Sequence, residues 1–199
     1  MQGLAIRRLF DAALDCILKM SRTPANYWGE FVLDVPIGIL LIFEGLRRLD
    51  THPAAIFFTI LIGLFIFSFF EYCFHRWLFH GSMRLMVEGH RAHHENPLGY
   101  DALPFFLPAL LLTGLVGIFV LLMPVGFAFL LAGTMDLGYI TYGLSHFIIH
   151  HTRFRRPMVR RWAANHHIHH YHPDTNFGVT TPLWDILFAT RYVRHYQRT

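Results

Sequence analysis

Long apolar stretches alternate with shorter polar segments along this chain, and the polar segments gather histidine. Residues 54–74 are apolar except for Glu71 near their end, enough for one helical span of a bilayer. Residues 103–142 form a tract too long for one span, broken at Met123-Pro124-Val125-Gly126, where proline removes a backbone donor and glycine supplies turn freedom. The pattern predicts a helical hairpin there, with Asp136 in its second arm turned towards protein or water. A further stretch, 31–46, carries Asp34, Pro36 and Glu44 and predicts a bent span shielded by its neighbours. Leu4, Leu9, Ala12, Ala13 and Ile17 recur at helical spacing, which predicts an amphipathic helix, either at the membrane interface or packed on the protein's own polar part. Arg7, Arg8, Asp11, Asp15 and Lys19 interrupt that stretch, so it does not read as a secretory signal.

The expected fold is an all-α integral membrane protein forming a single domain over 1–199. An amphipathic segment (1–30) precedes spans one and two (31–74), a first cap segment (75–102), spans three and four (103–145) and a second cap segment (146–199). Four transmembrane helices would bring both termini and both cap segments to one face. Of the 17 Lys and Arg residues only Arg47 and Arg48 fall on the other, so the positive-inside rule makes the histidine-rich cap cytosolic. A mean hydropathy of +0.37 supports a membrane protein over a soluble globule. The net charge of +4 is not arranged in a basic stripe, which argues against a nucleic-acid partner. Cys16 and Cys73 allow at most one disulfide and read as buried thiols. There is no internal repeat and no Gly/Ser linker to a second domain.

Fifteen histidines decide the chemistry. Four clusters lie beside the apolar stretches: His75-Arg-Trp-Leu-Phe-His80, His90-Arg-Ala-His93-His94, His146-Phe-Ile-Ile-His150-His151 and His166-His-Ile-His169-His170. Imidazole is a common transition-metal ligand, and neither a lipid-facing nor a core surface gives reason to gather so many titratable rings. In the second and fourth clusters the i, i+3, i+4 spacing puts three rings on one helix face, and His167 points away. His75 and His80 stand about 140° apart on an ideal helix, so a helix end or distortion must bring both inward. One tetrahedral zinc takes four ligands, and eleven candidates exceed one ion's needs. Two adjacent metals are the economical reading. His52, His172 and His195 stand outside the pattern and read as structural. Neutral imidazoles do not offset the charge of two ions, and an all-nitrogen centre suits O₂ chemistry on unactivated C–H bonds.

These residues resemble the fatty acid hydroxylase/sterol desaturase superfamily of membrane di-iron oxygenases, and within it the fatty acid 2-hydroxylases. The resemblance runs from about Phe69 to Thr190. It includes Glu71-Tyr72 before the first cluster, the HxxHH ending at His94, Tyr142 before SHxxxHH, His166-x-x-His169-His170, and the tail Asn176-Phe-Gly-Val-Thr-Thr-Pro-Leu-Trp-Asp185. It implies hydroxylation at carbon 2 of a long acyl chain, as free acid or in a ceramide-like lipid, with O₂ and two electrons. It implies two iron ions, with zinc able to occupy the same sites in purified protein. His75, His80, His90, His93 and His169 would hold one ion, and His94, His146, His150, His166 and His170 the other. His151 would be a ligand or a neighbour of one. Glu71, Tyr142, Asp174 and Asp185 are candidates for the layer behind the ligands, the carboxylates orienting rings by accepting their free N–H bonds.

Two features depart from the family pattern. No His-Pro-Gly-Gly signature of a fused cytochrome b5 domain occurs, so the expected electron donor is a separate protein, cytochrome b5-like or ferredoxin-like. Phe188-Ala189-Thr190 stands where members often carry Gly before Thr. The compact length suits a bacterial inner-membrane protein, or the endoplasmic reticulum in a eukaryote. A carotenoid hydroxylase or sterol-type desaturase of the same superfamily is the alternative within this chemistry. A histidine-rich metal transporter is the alternative outside it, although transporters place ligands near the bilayer midplane rather than at span ends. No HExxH occurs to suggest a zinc hydrolase.

Overall fold

The computed structural model describes residues 2–100 and 102–194, and these are helical with no strand among them. The helices are α1 (Gln2–Ser21), α2 (Pro24–Arg48), α3 (Pro53–Cys73), α4 (Arg84–Glu95), α5 (Leu107–Leu122), α6 (Val125–His151), α7 (Pro157–Tyr171) and the short α8 (Leu183–Leu187). A π-helical turn, Phe74–Phe79, continues α3.

Among the described residues two helices are long and apolar enough to cross a membrane, Pro53–Phe79 with its π turn and Val125–His151, while Leu107–Leu122 is apolar but shorter. On α3 large apolar side chains such as Phe57, Phe58 and Phe65 stay exposed, a surface that water would disfavour. α6 is the central element and packs against α2, α3 and α5. Backbones come close where α2 meets α6. A Cβ on Gly45 would stand 2.6 Å from the Leu130 nitrogen, and one on Gly133 would stand 2.9 Å from the Ile42 nitrogen. Small residues at such a crossing let helices approach without a hydrophobic drive between them. The α5–α6 break falls at Met123 and Pro124, as the sequence predicts.

α2 begins earlier than the apolar stretch at 31–46. Thr23 caps it by accepting from the Asn26 amide at 3.2 Å, and Pro24 occupies its first turn. The polar start is buried rather than looped out: Asn26 donates to the Leu103 carbonyl at 2.8 Å and accepts from the Phe105 amide at 2.9 Å. Glu30, Asp34 and Asp136 are also buried at the α2–α6 contact.

α1 buries Leu18 and Ser21 near its end and is tied to α4 by ion pairs. Arg84 of α4 bonds Asp11 at 3.1 Å and Asp15 at 2.9 Å, while Ile6, Leu9 and Phe10 remain exposed. The expectation of two buried thiols is corrected: Cys16 is exposed and Cys73 half-buried, because Cys16 lies on the unpacked side of α1.

Candidate metal centre

Four elements deliver the histidines. α3 would leave His75 and His80 on different sides, but the π turn that follows bonds five residues apart. The His80 amide bonds the His75 carbonyl at 3.3 Å, and the two rings come to 5.4 Å. α4 and α7 each present an i, i+3, i+4 triplet, and the carboxyl end of α6 supplies His146 and His150.

The rings sort into two groups of five. His75, His80, His90, His94 and His169 form one, and His93, His146, His150, His166 and His170 the other. Within each group the ligand nitrogens all lie within 4.8 Å of one another. The grouping implied by family resemblance is corrected at α4, where His94 joins the first group and His93 the second. His90 and His94 are one helical turn apart on the same side, whereas His93 is rotated by about 100° from His94. His151 joins neither group: it is exposed, stacks on Phe147 at 3.9 Å and bonds that residue's carbonyl. His167 is exposed beside His150, His172 stacks on Tyr192, and His52 precedes α3 as its cap. His195 lies outside the described residues.

The nitrogens are set as a cation would require. His75 Nδ1 meets the Phe177 carbonyl at 2.5 Å, and His169 Nδ1 meets the Thr175 carbonyl at 2.8 Å. A carbonyl only accepts, so both Nδ1 atoms carry the proton and each neutral ring turns an Nε2 lone pair to the interior. There His75 Nε2 stands 3.1 Å from His90 Nε2, His80 Nε2 3.1 Å from His169 Nε2, and His94 Nε2 3.0 Å from His90 Nε2. The second group is as tight, with His166 2.9 Å from His150 and His170 3.0 Å from His93. Nitrogens about 2.1 Å from an ion stand about 3.0 Å apart at right angles and about 3.4 Å apart at tetrahedral angles. Both groups therefore fit a metal, and their spacing is that of a right-angled set.

Burial, reinforced by the charge other protonated rings would add, keeps the rings neutral. His80 is pushed down to about 4, chiefly by burial and then by His94. His169 falls to about 3 despite its bond to Thr175, and His90, His93 and His166 fall well below the usual imidazole range. Neutral rings are the ligand form.

The carboxylates act one layer further out than expected. Asp185, fully buried, accepts from the Phe177 and Gly178 amides at 2.8 Å each and from the Thr190 hydroxyl. Glu71 accepts from the Val179 amide at 2.6 Å, the Thr180 amide at 2.9 Å and the Thr180 hydroxyl. Together they clamp the loop at 175–180, and its carbonyls, not the carboxylates, hold the rings. Asp174 is exposed and raises His80 only through its charge. Tyr142 stacks on His146 at 5.9 Å. Sequence reasoning missed Trp162 and Asn165, which donate to the Val179 and Gly178 carbonyls. It noted Tyr72 only as part of a motif, without a role; its hydroxyl bonds Thr190 and accepts from Arg76. The tail motif at 176–185 marks this loop, but nothing in it names the donors on α7.

The fatty acid hydroxylase family model matches residues 60–190. A dihydroceramide fatty acyl 2-hydroxylase of Arabidopsis thaliana is 29% identical over 175 residues, covering 82% of this chain and 73% of the plant protein. The human fatty acid 2-hydroxylase is 28% identical over 144 residues, covering 65% of this chain and 38% of the human one. The chain thus spans about two fifths of the mammalian relative's length. Among solved structures, the hydroxylase domain of full-length scs7p superposes with a TM-score of 0.75 at 24% identity, over 88% of this chain and 69% of that one.

Proposed function

The chain belongs to the fatty acid hydroxylase family, and on that premise we propose that it hydroxylates carbon 2 of long acyl chains, as free acid or within a ceramide-like lipid. The observation that carries this reading is the pair of five-imidazole groups in a chain whose matched relatives are named fatty acyl 2-hydroxylases. The reaction consumes O₂, two electrons and two protons, replaces one C–H by C–OH and releases water. Iron held by the two histidine groups would supply the O₂ reduction that side chains cannot.

The ten grouped histidines are the proposed ligands, with His151 outside the set. Right-angled spacing and five donors per group suit iron better than tetrahedral zinc. The residues of this chain do the rest. The loop at 175–180 fixes ring orientation, burial keeps the rings unprotonated, and Phe79, Phe177 and Tyr142 wall the rings from bulk water. Four spans, with α2 and the shorter α5 completing the two long ones, would place the centre and both termini on the cytosolic face, as the basic residues require. The exposed apolar side of α1 suits the membrane interface. A separate donor protein would deliver electrons.

Cells expressing the chain with iron, O₂ and a compatible donor are expected to accumulate 2-hydroxy acyl lipids, read by mass spectrometry as one added oxygen at carbon 2. Loss of two hydrogens instead, or oxygen on a carotenoid or sterol ring, would overturn the substrate assignment.

A further inference from the structure

The contact between α2 and α6 buries three carboxyl groups. Glu30, Asp34 and Asp136 are each no more than 6% exposed. Glu30 Oε2, both carboxyl oxygens of Asp34 and Asp136 Oδ2 have no hydrogen-bond partner among the described residues. On α2, Glu30, Asp34 and Gly38 follow one another at steps of four and so share a face. A Cβ on Gly38 would collide with Asp136 Oδ2, which sets the Asp136 carboxyl against that face. The Tyr139 hydroxyl bonds the Glu30 carboxyl. On α6, Asp136, Tyr139, Tyr142 and His146 recur at steps of three, three and four, so one side of that helix leads from the carboxyls to the second histidine group.

A buried carboxyl oxygen left unpaired is costly, and each of these groups has two others beside it. Ionisable side chains in membrane helices mark ion pathways and proton relays. Two observations favour protons over a bound cation. Among the described residues only the two histidine groups bring three or more ligand atoms within 4.8 Å of one another, so the three carboxyls do not close on one ion. Glu30 instead walls a cavity of about 100 Å³ that His90, His93 and His146 also wall, so the cavity touches both histidine groups. Arg22, exposed, stands at its rim. A space of that size has room for several waters, and polar walls are what waters need.

We propose that Glu30 is the proton donor to the metal centre, with Asp34 and Asp136 behind it as a proton reserve. This rests on the hydroxylase reading above. Turning one C–H into C–OH and the second oxygen of O₂ into water takes two electrons from the donor protein and two protons, and both protons leave in the water. The ligand rings turn lone pairs, not protons, to the interior, so the protons must come from another group. The protonated Glu30 carboxyl gives its proton to cavity water, which passes one on towards the histidines. The Tyr139 hydroxyl, donating, steadies the carboxylate left behind. A proton from the exposed rim, or from Asp34 or Asp136, then restores the carboxyl, and two such rounds complete one turnover.

The first test needs no turnover. Infrared spectra of the full chain loaded with zinc, which does not reduce O₂, should show at neutral pH a protonated-carboxyl C=O band that shifts promptly in D₂O and is missing from Glu30→Gln. A spectrum unchanged by Glu30→Gln, or a band that D₂O leaves in place, would overturn the inference. The second uses the iron-loaded chain with an electron donor. Glu30→Gln, nearly isosteric but without an acidic proton, should lower kcat about 100-fold or more. KM for the acyl lipid and metal content should stay within about twofold, because binding is untouched. Glu30→Asp should recover part of kcat, and Glu44→Gln, on the same helix but paired with Arg47 at the surface, should change nothing. Asp34→Asn and Asp136→Asn should each lower kcat less than Glu30→Gln does. A Glu30→Gln loss carried by KM or by metal content, or an unchanged kcat, would overturn the proton role while hydroxylation by the wild type stands. A wild type that inserts no oxygen into an acyl lipid would overturn the hydroxylase reading itself.

Discussion

The two histidine groups hold the same number of rings at the same spacing, yet they are supported differently. In the first, His75 and His169 are fixed by carbonyls of the loop at 175–180, and that loop is pinned by Asp185 and Glu71. In the second, His166 Nδ1 and His170 Nδ1 are buried without a protein partner. A ring held from behind has its tautomer and orientation set before a metal arrives, and such support is typically worth 10- to 100-fold in affinity. The difference teaches that ligand count does not measure how well a site is prepared: in the first group two rings are oriented from behind before a metal arrives, while in the second two rings have no protein group behind their Nδ1 atoms.

The largest effects come from removing one ring from each group. His80→Ala and His170→Ala should each abolish turnover and lower metal content, while His52→Ala should do neither, because His52 serves only at the start of α3. Comparable losses in all three at equal expression would count against the ligand sets. Next in size is the asymmetry itself. Stepwise chelation of the loaded protein should remove one ion before the other, and the ion lost first should be the one missing from His170→Ala. Simultaneous loss would break the comparison. Asp185→Ala sharpens it, because freeing the Phe177 and Gly178 amides should weaken metal binding in the first group about 10- to 100-fold and leave the second nearly unchanged. Metal titration of the variant reads this directly.

Acid should act on the metal-free chain. The folded-state values are depressed, to about 4 for His80 and about 3 for His169, so the unfolded chain binds protons first. Stability is then full above about pH 6.5 and falls as pH drops from there towards 4. Thermal melts at pH 7.5 and 5 should show it, and a melt unchanged or higher at pH 5 would contradict the burial of neutral rings. The smallest effect concerns Ala189, which adopts φ 53°, where a Cβ costs about 1 kcal/mol or more. Ala189→Gly should stabilise by about that amount, since the glycine common in the family is free of this strain.

Much of the centre was legible in the sequence because its spacing is local. The triplets on α4 and α7 and the pair on α6 need only helical periodicity, and the hairpin break needs only Pro124 and Gly126. Three features were not legible. Whether His93 or His94 faces the first group depends on the rotation of α4, which is fixed by packing of residues such as Met86 against other helices. The π turn that unites His75 and His80 leaves no local signature, since any helix-forming run can host it. The partners of Glu71 and Asp185 lie about a hundred and about eight residues away respectively, and a carboxylate in sequence does not say whether it meets a ring or the loop that holds the ring. Glu30, at the end of the segment read as amphipathic, is buried because α2 starts at Pro24 and packs along α6.

The central claim is that ten imidazoles hold two ions, one in each group. Anomalous diffraction at the iron edge from crystals of the fully loaded protein tests it most directly. Two peaks are predicted, one among His75, His80, His90, His94 and His169 and one among His93, His146, His150, His166 and His170. A single peak, or peaks at other side chains, would contradict it.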